Sequence, residues 1–166
     1  MAEHMQLPRF EQLAWHAGPG IPEIVERYVR LGVTDWVYDT VEAEGTVFGV
    51  PVTNKADLAF CYQLGPFEVE LIKYRGNLPD NWLAVRGKGM RRKDIYMSHM
   101  GYHVTNMGVE LAMWKQAGIE IAQEVRTLSH TNPRLVEKGR HYHYVVLDTL
   151  DMLGYFVKLI SRLDTK

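Results

Sequence analysis

The chain has 166 residues, 46% hydrophobic and 23% charged, with a net charge of −1 and a pI near 6.7. That length suits one compact domain, or two small modules sharing a core, and the apolar fraction is ample for burial. So even a charge balance offers no long-range field to nucleic acid or an anionic membrane, the lone Cys61 forbids an intrachain disulfide, and no apolar run reaches the roughly 18 residues of a membrane-spanning helix.

Residues 1–6 lack the basic and apolar segments of a signal peptide, so a cytoplasmic location is expected. Residues 10–17 read as a strand, with Leu13, Trp15 and Ala17 on one face and Gln12, Ala14 and His16 on the other. Gly18-Pro-Gly20 is a turn. Pro22 then opens a helix in which Ile24, Val25, Tyr28 and Leu31 recur at helical spacing until Gly32 stops it. Runs at 35–42, 47–53, 56–63 and 67–74 are β-branched or aromatic, broken at Glu44-Gly45, Asn54-Lys55 and Gly65-Pro66. They predict about three strands, with 47–53 a strand or only a connection. A basic run, Arg86-Gly-Lys88-Gly-Met-Arg91-Arg92-Lys93, follows. It reads as a solvated linker or as a clamp for a ligand phosphate or carboxylate. Strands are then expected at 96–104, 120–127, 142–148 and 155–161, a helix at 107–117, and a loop at 130–139.

The second half repeats the first. Gln12-Leu-Ala-Trp-His16 returns as His99-Met-Gly-Tyr-His103 at an offset of 87, Val69-Glu-Leu-Ile72 returns as Val157-Lys-Leu-Ile160 at 88, and Gly32 is answered by Gly118 at 86. A near-constant offset tied to the same kinds of element defines a tandem unit, here a first module at about 10–85 and a second at about 94–163 of one domain. Within the last strands, Glu68, Glu70 and Ile72 share a face, as do Phe156, Lys158 and Ile160. Charges alternating against apolar neighbours point into a cavity or into solvent. If both point inward, Glu70 and Lys158 are equivalent by repeat and pair with each other.

A doubled β-α-β-β-β unit carrying His99-Met-Gly-Tyr-His-Val, Gly118, Leu147-Asp-Thr and Gly154-Tyr-Phe-Val-Lys158-Leu resembles the vicinal oxygen chelate superfamily. That superfamily includes glyoxalase I, methylmalonyl-CoA epimerase, extradiol dioxygenases and bleomycin-resistance proteins. With Val69-Glu-Leu-Ile followed by Asn77-Leu-Pro-Asp, the chain looks most like the glyoxalase-like branch that holds the epimerases. The resemblance implies an α+β fold of tandem βαβββ modules forming a cup-shaped sheet. It also implies four metal-ligand positions, which fall here on Gln12, Glu70, His99 and Lys158. The first three suit a metal. At the fourth the family has Glu, and Lys158 brings a cation that cannot ligate while protonated.

No cofactor is firmly expected, and a zinc, nickel or cobalt ion on Gln12, Glu70 and His99 is the less favoured alternative. The resemblance implies an isomerase, epimerase or lyase that abstracts a proton beside a carbonyl, with Lys158 in place of the cation and Glu70, His16 or His103 moving the proton. His141, His143 and Tyr62 are candidate ligand contacts. The other reading is a non-catalytic protein of the same fold that sequesters an apolar or aromatic ligand against its many rings. The expected partner is a small molecule, with no nucleic acid and no membrane, and a homodimer is compatible with the sequence.

Overall fold

The computed structural model describes residues 8–75, 95–136 and 141–163. The basic run at 86–93, the motif Asn77-Leu-Pro-Asp and the junction of the two modules lie outside the described residues. The first module runs β1 (Arg9–Ala17), α1 (Ile21–Val29), β2 (Trp36–Val47), β3 (Val50–Cys61), β4 (Glu68–Tyr74). The second runs β5 (Ile95–His103), α2 (Met107–Gln116), β6 (Ile121–Ser129), α3 (Pro133–Val136), β7 (His141–Leu147), α4 (Leu150–Leu153), β8 (Phe156–Arg162).

The strands close into a barrel in the order β1-β4-β3-β2-β6-β7-β8-β5. Among the described residues only β1 with β4 and β5 with β8 pair in parallel, and the other pairs are antiparallel. Closure leaves no free sheet edge among the described strands. The two parallel pairs carry the repeat in their register. Gln12 faces Glu68 and Ala14 faces Glu70 in one, while His99 faces Phe156 and Gly101 faces Lys158 in the other. Gln12 is therefore equivalent to His99, and Glu70 to Lys158.

Alternation divides the side chains between two surfaces. Inside the barrel lie Val37, Val41, Leu58, Phe60, Ile72, Tyr144, Phe156 and Ile160. Outside, Val69 and Leu71 meet Ile21, Ile24 and Val25 of α1, and Val157 and Leu159 meet Met107 and Trp114 of α2. Each fully buried aliphatic or aromatic side chain contributes roughly 1.5–3 kcal/mol, so apolar packing on both surfaces of the sheet holds the barrel together. Asn106 caps α2 by accepting from the Val109 N–H at 3.2 Å.

One stretch differs from expectation. The breaks expected at Glu44-Gly45 and Asn54-Lys55 are absent, and 47–53 is neither a separate strand nor a connection. Instead β2 and β3 form one long hairpin whose turn is Phe48-Gly49, with φ of 45° and 77°, the left-handed pair that a tight two-residue turn needs. Gly45 is there for space: a Cβ would lie 2.3 Å from the Glu124 carbonyl oxygen where β2 meets β6. Asn54 is buried at the same seam, where its Oδ1 accepts from Gln123 Nε2 at 2.6 Å.

Candidate active site

Four side chains from four strands meet at one point inside the barrel. Gln12 Oε1 lies 2.9 Å from His99 Nε2 and 3.0 Å from Lys158 Nζ. Glu70 Oε2 lies 3.2 Å from His99 Nε2 and 3.5 Å from Lys158 Nζ. All four are buried. Because Gln12 Oε1 and Glu70 can only accept, His99 carries its proton on Nε2, leaving Nδ1 to accept from Ser98 Oγ at 3.0 Å. The Gln12 amide is thereby oriented, and its Nε2 donates to Glu68 Oε1 at 2.5 Å. The Lys158 ammonium also sits 4.9 Å from the centre of the Tyr144 ring, which favours a cation.

Burial sets the charge states against these contacts. Burial would raise the Glu70 carboxyl, but the Lys158 ammonium and the His99 N–H outweigh it and hold Glu70 at about 2. For His99, burial and then the Lys158 charge push the imidazole down to about 4, against the pull of Glu70. Glu70 is thus a pinned carboxylate and His99 a neutral donor.

This cluster forms part of the wall of a cavity of about 540 Å³, lined by Gln12, Glu70 and Lys158 with Tyr62, Glu68, Tyr142 and Tyr144. Glu68, in phase with Glu70, accepts from Tyr62 OH at 2.5 Å. Burial, above all, raises its carboxyl. Arg162 closes on Glu11 through two bonds of 2.9 and 3.0 Å, and both residues line the same cavity.

A second pair went unread in the sequence. His130, just past the end of β6 in the stretch expected to be only a loop, is 8% exposed and lines the cavity. Its Nδ1 lies 2.7 Å from Asp39 Oδ2. Asp39 also accepts from the Thr40 N–H at 2.9 Å and from the N–H and hydroxyl of Thr131. The readable signal was that Asp39 occurs in the apolar phase of β2, between Val37 and Val41.

Several expected site residues lie elsewhere. His16 shares the inner face of β1 with Gln12 but does not line this cavity; it is fully buried and stacks on Tyr96 and Tyr74, with ring centroids 4.7 and 6.5 Å away. His103, half-buried opposite Arg9 and Ile160, is also absent from the lining. On β7 the alternation runs opposite to the ligand-contact expectation. Tyr142 and Tyr144 face the cavity, whereas His141 and His143 do not line it, and His143 Nε2 meets Glu124 Oε1 at 2.9 Å. Of the residues expected to contact ligand, Tyr62 alone lines the cavity.

The donor set does not suit a divalent metal. A cation bound to Gln12 Oε1 and Glu70 Oε2 would compete with the ammonium already held by those two atoms. Among the described residues, no group of three His, Cys, Asp or Glu side chains gathers to hold an ion.

The barrel of paired βαβββ modules with polar side chains converging inside it is the fold of the vicinal oxygen chelate superfamily. No protein-family model and no curated protein matches the chain. Solved structures do. A hypothetical protein from Bacillus halodurans is 13% identical with a TM-score of 0.57, over 95% of this chain and 96% of that one. Methylmalonyl-CoA epimerase from Mycobacterium tuberculosis is 9% identical with a TM-score of 0.53, over 98% and 93%. A variant of the Streptomyces coelicolor methylmalonyl-CoA epimerase in complex with 2-nitronate-propionyl-CoA is 14% identical with a TM-score of 0.52, over 95% and 99%. Among the described residues no helix is long and apolar enough to cross a membrane.

Proposed function

We infer that the protein is an isomerase or epimerase that removes a proton beside the carbonyl of a small molecule, with the Lys158 ammonium serving where the sequence resemblance implies a metal ion. The observation that carries the reading is the convergence of Lys158, Glu70, Gln12 and His99 at one point, with Lys158, Glu70 and Gln12 lining the cavity. A carbonyl oxygen reaching Lys158 Nζ gains a fixed positive charge as it becomes an enolate, and in a dry pocket such preorganised charge is worth more than in water. Glu70 balances that ammonium. Facing the Lys158 ammonium and His99 Nε2 and held near 2, it is a weak base. The Gln12 amide and the neutral His99 hold the pair in place. Zinc, nickel and cobalt have no part in this reading, because the charge they would bring is already present in Lys158.

Acyl-CoA thioesters lead the candidate substrates. The similar structures include methylmalonyl-CoA epimerases, and the acidic hydrogen beside a thioester carbonyl is what an ammonium in this place would activate. The test is proton exchange in deuterated water with methylmalonyl-CoA, propionyl-CoA and dihydroxyacetone. Catalysed deuterium uptake at the carbon beside the carbonyl supports the reading. Tight binding of an aromatic ligand in the cavity, without exchange of any of the three compounds, would make it a sequestering protein instead.

A further inference from the structure

We propose that His130, oriented by Asp39, is the base that takes the substrate proton, facing the cavity that Lys158 also lines. The proposal rests on the proton-abstraction reading above and supplies the group that reading lacks. Lys158 carries charge but no free pair, His99 directs its Nε2 proton at Gln12 and engages Nδ1 with Ser98 Oγ, and Glu70 is held low beside Lys158.

His130 has the geometry for the task. Asp39 accepts from Nδ1 at 2.7 Å, so the Nε2 lone pair is the one left over. Among the described residues no hydrogen bond reaches that nitrogen, and the side chain borders the cavity. The ring is fixed edge-on between Phe60 and Tyr142, at centroid distances of 5.4 and 5.0 Å. Asp39 is itself immobilised by Thr40 and Thr131. Such a carboxylate selects the tautomer and stabilises the imidazolium that forms, as the carboxylate of a catalytic triad does. Burial lowers the His130 imidazole while Asp39 pulls it back up, which keeps the free base populated at neutral pH.

The step balances without any other reactant. The bond from carbon to hydrogen breaks and its electron pair becomes the carbon–carbon double bond of the enolate. The carbonyl π pair moves to the oxygen beside Lys158, and the proton rests on His130 Nε2. Its return to the same carbon gives epimerisation or, in deuterated water, exchange.

Asp39 is a positioning residue. Other charges act on His130 from Glu70 on β4 and Lys158 on β8, and Tyr142 on β7 is its titratable neighbour, so the pH profile must be read against those groups too.

The test compares His130→Gln, Asp39→Asn and Lys158→Met in the full chain, with exchange of methylmalonyl-CoA in deuterated water, binding of 2-nitronate-propionyl-CoA and imidazole nitrogen NMR. His130→Gln should slow exchange by about 10²–10⁴-fold and leave binding of the nitronate, which needs no deprotonation, within about threefold. Asp39→Asn should slow exchange comparably, move the acid limb of the profile to lower pH and shift the His130 proton from Nδ1 to Nε2. Exchange within a few-fold of wild type in His130→Gln, together with its loss in Lys158→Met, overturns the dyad and leaves the functional reading standing. An Nε2–H tautomer for His130 in the wild type overturns it as well. If the wild type neither exchanges the thioester nor binds the nitronate, the acyl-CoA reading falls and the dyad's role with it.

Discussion

Glu70 Oε2 and Lys158 Nζ stand 3.5 Å apart although they belong to different halves of the chain. They meet because β4 and β8 occupy equivalent places beside β1 and β5, so a repeat in sequence becomes a facing pair across the barrel. With a carboxylate in one copy and an ammonium in the other, the two equivalent positions form an ion pair.

That pair sets the first prediction. Removing one member leaves an uncompensated buried charge, so Lys158→Ala should lose about 3–5 kcal/mol of stability if the site stays dry, and less if water enters. Chemical denaturation measures it. A loss below roughly 1 kcal/mol, the range of exposed pairs, would mean that solvent reaches the cluster.

Lys158→Glu places beside Gln12, Glu70 and His99 the acid that the sequence resemblance implies for a metal site. The variant should take up zinc, nickel or cobalt at one ion per chain, because the opposing charge has become a ligand. Elemental analysis after dialysis against each metal reads the ratio. Equal uptake by wild type and variant would show that the ammonium does not govern the site.

His99 should remain neutral, protonated on Nε2, down to about pH 4. Its folded value lies below the ordinary 6.5, so the unfolded chain takes the proton first. The stability it contributes is full above about pH 6.5 and is lost as pH falls from there towards 4, by roughly 3 kcal/mol. Glu70, also lowered, adds a further loss below its ordinary 4.5. Glu68 is raised and acts in the opposite sense, its cost being relieved on acidification. Nitrogen shifts of the His99 ring across pH 4–8 decide the point, and titration near 6.5 would contradict it.

Gly45→Ala should be far more damaging than a glycine substitution on an open strand, because its Cβ would meet the backbone of β6 at 2.3 Å. Overpacking of this kind costs roughly 1–3 kcal/mol and here falls on the seam between modules. A thermal midpoint unchanged from wild type would show that β2 and β6 separate easily.

Much of this was legible from alternation and offset. The repeat fixed which residues are equivalent, and the common phase of Glu70 and Lys158, opposite to Val69, Leu71, Val157 and Leu159, followed from alternation, while cavity and solvent both stayed open for it. The hairpin turn was not legible. Gly45 and Asn54 look like turn residues, but each answers to a partner on β6 that is distant in sequence. The histidines misled for a related reason: His141 and His143 alternate with tyrosines, and alternation alone does not say which set faces inward. His130 and Asp39 are 91 residues apart, so nothing local joins them, although Asp39 in phase with Val37 and Val41 marked a polar group turned to the interior.

The most direct measurement of the central claim is deuterium exchange into methylmalonyl-CoA by chelator-treated protein, compared with the same protein after addition of zinc, nickel or cobalt and with Lys158→Met. An ammonium-based cup predicts full exchange in the presence of chelator, no gain from added metal, and loss in Lys158→Met with the fold intact by NMR. Exchange that appears only with added metal, or that survives in Lys158→Met, would contradict it.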